Sequence, residues 1–297
     1  MFNEAVLRMC CAHIPILVLV LSFIVAKGSH APYTNLAKLY QGIDTALNAV
    51  VDANLTVMHH VFHQGDICPF QRKIMSKIAH EGTVKIEIMG GSATFGADLP
   101  RKEKQRWSNT VDAILNYGWY NGSISLTNRA IPACDIDAWI YQTTRFTDAD
   151  LVIVDLSAND QGFDLPMLIH YYQTLLQLID DLPNHHGIMF VQTFRKAKDP
   201  REIEKSCPDT DKNGKCCKNV WRCKKWWNMQ DFVTVALKRY RVPYISYRDL
   251  VWPIHQAPAN PSRHFGTEIR ILTQKNHDLY GKLVAYGIMR QFLQAHA

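Results

Sequence analysis

From Val84 to the C-terminus, short runs rich in β-branched residues alternate with longer segments of helical period. The runs are VKIEIM, SISLTN, DLVIVDLS, GIMFVQT and VPYIS. Between them lie RWSNTVDAILNYG, DIDAWIYQTTRF, LPMLIHYYQTLLQLIDDL and WWNMQDFVTVALKRY, and LYGKLVAYGIMRQFLQ closes the chain. Parallel strands need a crossover long enough to hold a helix, and a strand apolar on both faces must be covered on both. The alternation therefore predicts an α/β domain over residues 81–297: three layers, a doubly wound parallel sheet of about five strands, and helices on both faces.

The 297 residues suffice for one large domain or two small ones, and 47% hydrophobic with 20% charged is ordinary globular composition. A net charge of +6 does not by itself indicate nucleic acid, because a basic footprint would have to cluster on one face. Residues 1–28 read as a signal peptide or signal-anchor: Arg8 precedes an apolar run from Met9 to Ala26 that Lys27 ends. That run is short for a transmembrane helix, and small residues follow it. Residues 29–80 read as a helical preface or stalk, with Leu36, Leu39, Ile43, Leu47 and Val50 at helical spacing. In this stretch His59, His60 and His63 read as a surface helix face rather than a metal site.

Entry into the secretory pathway fits two further features. Asn54 and Asn121 head N-glycosylation patterns. Outside the leader there are six cysteines, Cys68, Cys134, Cys207, Cys216, Cys217 and Cys223, an even number compatible with disulfides. Four of them sit in residues 195–228, a segment without helical or strand period that holds eleven Lys/Arg against five Asp/Glu. Their spacing lacks the paired Cys-x-x-Cys units of a zinc ribbon, so a basic surface loop pinned by at least one disulfide is expected. The domain is expected in the lumen or outside the cell, secreted or on a single membrane anchor.

In a doubly wound sheet, ligands bind outside the carboxyl ends of the strands. The first run ends in Gly90-Gly91-Ser92, the third in Ser157-Ala158-Asn159-Asp160, and the turn after the second reads NRAIPAC. His277 opens the final helix in QKNHDLYG. A small nucleophile, an amide, a backbone turn and an imidazole thus gather on one edge. Acyl transfer needs that set: a nucleophile, a base for its proton and donors for the oxyanion.

These blocks, GGSATFG, NRAIPA, SAND and a late histidine followed by Gly281 and LVA, resemble the ordered blocks of the SGNH (GDSL-type) hydrolase superfamily over roughly residues 83–290. The resemblance implies a flavodoxin-like sheet and an esterase that uses neither metal nor organic cofactor. It implies Ser92 as nucleophile, Asn159 as a side-chain oxyanion donor, Ala133 as a backbone donor in the place of the family's glycine, and His277 as general base. It further implies a small-molecule, lipid or glycan ester as substrate.

The chain departs from the family at three points. Gly91 replaces the usual acid before the serine, Ser157 stands where glycine is usual, and Gln274 occupies the acid's place three residues before the histidine. An acid fixes the histidine tautomer and stabilises the imidazolium. Gln274 can orient but cannot balance charge, which leaves a Ser–His dyad or a substitute acid, Glu268 or Asp278. The expected function is a serine ester hydrolase or acyltransferase working through an acyl-enzyme. A binding protein that keeps the scaffold without catalysis is the alternative, and the missing acid favours it.

Among the remaining residues, Trp107 reads as a core anchor, Asp135 as an N-cap and His264 as a second candidate base. Asp160 reads as a turn cap and His170 as a helix-face residue.

Overall fold

The computed structural model describes residues 61–63, 65, 73–74, 77, 82–118, 124–157, 159–160, 165–183, 187–193, 229–250 and 273–296. The leader, both glycosylation patterns, Glu268, His264, Cys68 and the whole of 195–228 lie outside them.

Six strands form one sheet: β1 (Phe62–His63), β2 (Val84–Gly90), β3 (Ile124–Asn128), β4 (Leu151–Asp155), β5 (Gly187–Gln192) and β6 (Tyr244–Ser246). Their order is β1-β6-β5-β4-β2-β3, parallel throughout except for β1, which pairs antiparallel with β6. The five parallel strands follow the flavodoxin-like order, and the chain reverses direction between β2 and β4. All five residues of β4 are buried, as expected for a strand with helices on both faces.

The helices are α1 (Ser92–Phe95), α2 (Lys102–Gln105), α3 (Trp107–Gly118), α4 (Ile136–Ile140), α5 (Leu165–Asp180), α6 (Met229–Arg239) and α7 (Gln274–His296). Side chains alternate along each strand, so each central strand feeds two cores. On one face Ile86, Ile88, Ile153 and Val191 meet Trp107, Val111 and Leu115 of α3 and Leu283 and Val284 of α7. On the other, Val152, Val154 and Phe190 meet Trp139 of α4, Leu168, Tyr172, Leu175 and Ile179 of α5, and Leu237 of α6. The buried residues of α5 recur three and four apart, which puts them on one stripe. Trp107 is fully buried, as its reading as a core anchor requires.

The structure refines the strand count, and it corrects three expectations: His63, the segment after Asp135, and Cys134. The sheet has six strands because the region before residue 81 supplies β1, and His63 stacks flat on Tyr244 with ring centroids 4.0 Å apart rather than lining a helix face. Where it is described, this region packs on the domain. Val61 and Ile74 are buried in the first core, and the Lys77 ammonium donates to both Asp150 oxygens at 2.7 Å. The segment DIDAWIYQTTRF is not one helix: Tyr141 ends α4, and Thr143–Phe146 continues as a 3₁₀ turn. Cys134 is a buried free thiol, not a disulfide partner.

Candidate active site

Ser92 opens α1 directly after β2, at the reversal of the sheet. Its turn is not the glycine hinge that Gly90-Gly91 suggests. Gly91 has φ −101°, which any residue adopts, and of the described glycines only Gly96 has a positive φ. The two glycines are required by close approach. A Cβ on Gly90 would lie 2.4 Å from Thr94 Oγ1, and one on Gly91 would lie 2.2 Å from Asn159 Nδ2. Gly91 caps α1 without a side-chain acceptor, so the first amide groups of that helix have no side-chain partner.

Asn159 follows β4 and reaches across to this turn. Its Nδ2 donates to the Cys134 carbonyl at 2.8 Å, which occupies one amide hydrogen. Ala133, one residue earlier, has φ 62°, the left-handed conformation that explains why glycine would serve in its place. The loop before it is tied to the end of β2, since Ile131 N–H and Trp139 Nε1–H both donate to the Gly90 carbonyl, at 3.0 and 3.3 Å. Ser92, Asn159 and Ala133 are thus brought to one strand edge.

Asp160 is fixed from below. It accepts from Ile136 N–H at 2.9 Å and from the Tyr172 hydroxyl at 2.5 Å, so it caps α4 and anchors the turn that carries Asn159. Asp135 caps the same helix by accepting from Ala138 N–H. Asn128, which sequence reasoning did not single out, donates to the Thr94 carbonyl and to Ser108 Oγ, both at 2.9 Å. Its Oδ1 accepts from Ala130 N–H, so one side chain joins α1, α3 and the Ala133 loop.

His277 is placed differently from the role the resemblance implies. It lies in the first turn of α7, 1% exposed, and its Nδ1 accepts the Trp107 backbone N–H at 3.1 Å. The imidazole therefore satisfies an amide of the first turn of α3. A ring that accepts at Nδ1 carries its neutral proton on Nε2 and is a donor there. Burial pushes its pKa down to about 4, well below what a base working near neutrality needs. Among the described residues no hydrogen bond joins His277 to Ser92.

Gln274 and Asp278 do not orient the ring. Gln274 Nε2 donates to Asp278 Oδ1 at 2.7 Å and to the Gln105 carbonyl at 3.2 Å, and Asp278 also accepts from Thr110 Oγ1. The expectation that either serves as the imidazole's partner is corrected: both bind α7 to α2 and α3. Among the described residues no cluster of His, Cys, Asp or Glu could hold a metal ion.

Two buried carboxyls give the site region a pH signature. Burial pushes Asp155 and Asp160 up to about 7 each. The folded protein therefore binds more protons than the unfolded chain between about pH 4 and 7, so stability falls as pH rises through that window. His277 acts oppositely between about pH 6.5 and 4, where the folded state binds fewer protons. Two carboxyls outweigh one imidazole, and from 6.5 to 7 they are unopposed. The melting temperature is expected to fall between pH 5.5 and 7.5, and Asp160→Asn to flatten that slope. Parallel curves for the variant and the wild type in differential scanning fluorimetry would contradict it.

No family model and no curated protein matches the chain. Solved structures do. A two-domain esterase active on acetylated mannans, crystallised with mannopentaose, superposes with a TM-score of 0.58 at 13% identity over 80% of this chain and 57% of that one. This chain thus spans little more than half of that protein's length. A peptidoglycan O-acetylesterase superposes with a TM-score of 0.54 at 10% identity over 79% of this chain and 99% of that one. At such identities the likeness is one of fold. In its strand order and layering, the chain has the three-layer α/β fold of these esterases, the fold that its resemblance to the SGNH (GDSL-type) hydrolases implies.

Proposed function

We propose that the protein is a serine esterase or acyltransferase that acts on acyl esters through a Ser92 acyl-enzyme. The observation that carries this reading is the packing of the Asn159 amide over Gly91, one residue before Ser92, with its second hydrogen held by Cys134 O. Ser92 attacks the ester carbonyl, its proton passes to a base, and the ester oxygen becomes an oxyanion. The free Asn159 N–H and the backbone N–H groups of Ser92 and Ala133 receive that charge. The leaving alcohol takes the proton, and water or an acceptor alcohol then releases the acyl group from Ser92.

The similar structures belong to esterases that act on acetylated mannans and on peptidoglycan, which supports a carbohydrate O-acyl ester over a lipid as substrate. The leader and the glycosylation patterns support a luminal or extracellular site of action. Among the described residues no helix is long and apolar enough to cross a membrane.

The base is the point at which a second reading is favoured. For His277 to accept the Ser92 proton as the resemblance implies, it must shift its own proton to Nδ1, which would leave the buried Trp107 N–H facing another donor. A lost buried hydrogen bond of this kind costs roughly 1–3 kcal/mol. In this second reading the base is His264, the other candidate offered by the sequence, which lies outside the described residues. Hydrolysis of an acetylated glycan and of p-nitrophenyl acetate tests both points. His264→Ala is expected to abolish turnover, while His277→Asn retains it in whatever fraction folds. Turnover lost in His277→Asn at unchanged melting temperature, with His264→Ala active, returns the role to His277. An inactive wild type leaves the non-catalytic binding protein.

A further inference from the structure

A helix of four residues does not hold itself in place, because one helical turn is not stable alone. Something must therefore fix α1 and the serine at its start. The groups that do so lie underneath it. Thr94, fully buried, donates its hydroxyl to Asp155 Oδ2 at 2.5 Å. Asp155 ends β4 and is directly opposite Gly90 in the β2–β4 register. Its other oxygen accepts the Thr193 hydroxyl, just beyond β5, at 2.9 Å. Thr193 is held in turn by Ser157, whose Oγ donates to the Thr193 carbonyl at 3.0 Å. The missing side chain of Gly90 is what lets Thr94 tuck under the turn.

We propose that Asp155 is a positioning residue for the nucleophile: through Thr94 it locks the turn carrying Ser92 onto the ends of β4 and β5. Stability alone does not explain the arrangement. Asp155 is 3% exposed, and among the described residues no cation bonds to it. A buried carboxyl without a cationic partner is expensive, and apolar groups of the same shape pack there at less cost. The gain is in direction: two hydroxyl bonds from two different chain segments converge on one carboxyl and leave the Ser92 turn one place to sit. Asn128 adds a third tie through the Thr94 carbonyl.

The proposal rests on the esterase reading, and one set of variants separates the two. Thr94→Val removes the hydroxyl and keeps the shape, while Thr94→Ser restores the hydroxyl. Misplacing a reacting group by about 1 Å costs on the order of 100-fold, so Thr94→Val is expected to lower kcat on p-nitrophenyl acetate by about 10- to 100-fold with KM unchanged. Labelling by a fluorophosphonate should slow in parallel, and Thr94→Ser should recover most of both rates. Asp155→Asn, which leaves one acceptor oxygen for two hydroxyl donors, should show the same drop in kcat at constant KM and serves if Thr94→Val does not fold. Wild-type kcat in Thr94→Val or Asp155→Asn, or a Thr94→Ser as slow as Thr94→Val, overturns the positioning role. A wild type that neither hydrolyses the ester nor takes the label overturns the esterase reading, and the positioning role falls with it.

Discussion

Ser92→Ala is expected to lower turnover of a simple acyl ester by on the order of 10⁴-fold or more, because no acyl-enzyme can then form. The residual rate would come from binding and from the oxyanion donors, which the substitution leaves in place. Combining Ser92→Ala with loss of the base should add almost nothing, since the two act on the same proton. Asn159→Ala removes one oxyanion donor, an effect of about 100- to 1,000-fold in turnover. It also releases Cys134 O, so a modest drop in melting temperature should accompany it. Steady-state kinetics on p-nitrophenyl acetate measures these losses. A Ser92→Ala protein with undiminished turnover would remove the serine from the mechanism.

Gly91→Ala is expected to be nearly as damaging as loss of Asn159, for a reason that backbone conformation does not supply. With φ −101°, alanine fits the backbone at this position. The added methyl, however, would lie 2.2 Å from Asn159 Nδ2 and 2.5 Å from its Cγ, so the amide must leave. Loss of about 100-fold in kcat should follow, the size of one missing oxyanion donor. The double variant Gly91→Ala/Asn159→Ala gives the sharper readout. The three atoms nearest the methyl all belong to the Asn159 amide and are gone in Asn159→Ala, so the double variant should be no slower than Asn159→Ala alone. Multiplying losses would place the damage elsewhere in the turn.

Much of this architecture is legible in the sequence because its causes are local. Runs such as VKIEIM and DLVIVDLS announce buried strands, and the stripe of Leu168, Tyr172, Leu175 and Ile179 announces a helix packed on one side. The order of the strand ends then brings Ser92, Ala133 and Asn159 together. What is not legible depends on contacts far apart in the chain. The two residues of β1 carry no pattern, and they become a strand only because the edge of β6 is free to pair with them. The chain breaks after Tyr141 although DIDAWIYQTTRF has helical composition.

The glycines illustrate the same limit within the site. Gly90-Gly91 reads as a flexible turn, whereas Gly90 admits Thr94, four residues further along, and Gly91 admits Asn159, 68 residues further along. A histidine at the start of the last helix reads as a base by its place in the blocks. Its tie to Trp107 N–H, 170 residues away, can be seen only in the fold. The clamp of Thr94, Asp155 and Thr193 had a faint signal at most: an aspartate ending an otherwise wholly apolar strand.

The central claim is that Ser92 is an activated nucleophile. Treatment of the full chain with a fluorophosphonate, followed by proteolysis and mass spectrometry, tests it most directly. The account predicts a single adduct on Ser92, formed in the folded protein and abolished by denaturation beforehand. Ser92 recovered unmodified from folded protein, or an adduct on another residue, would contradict it.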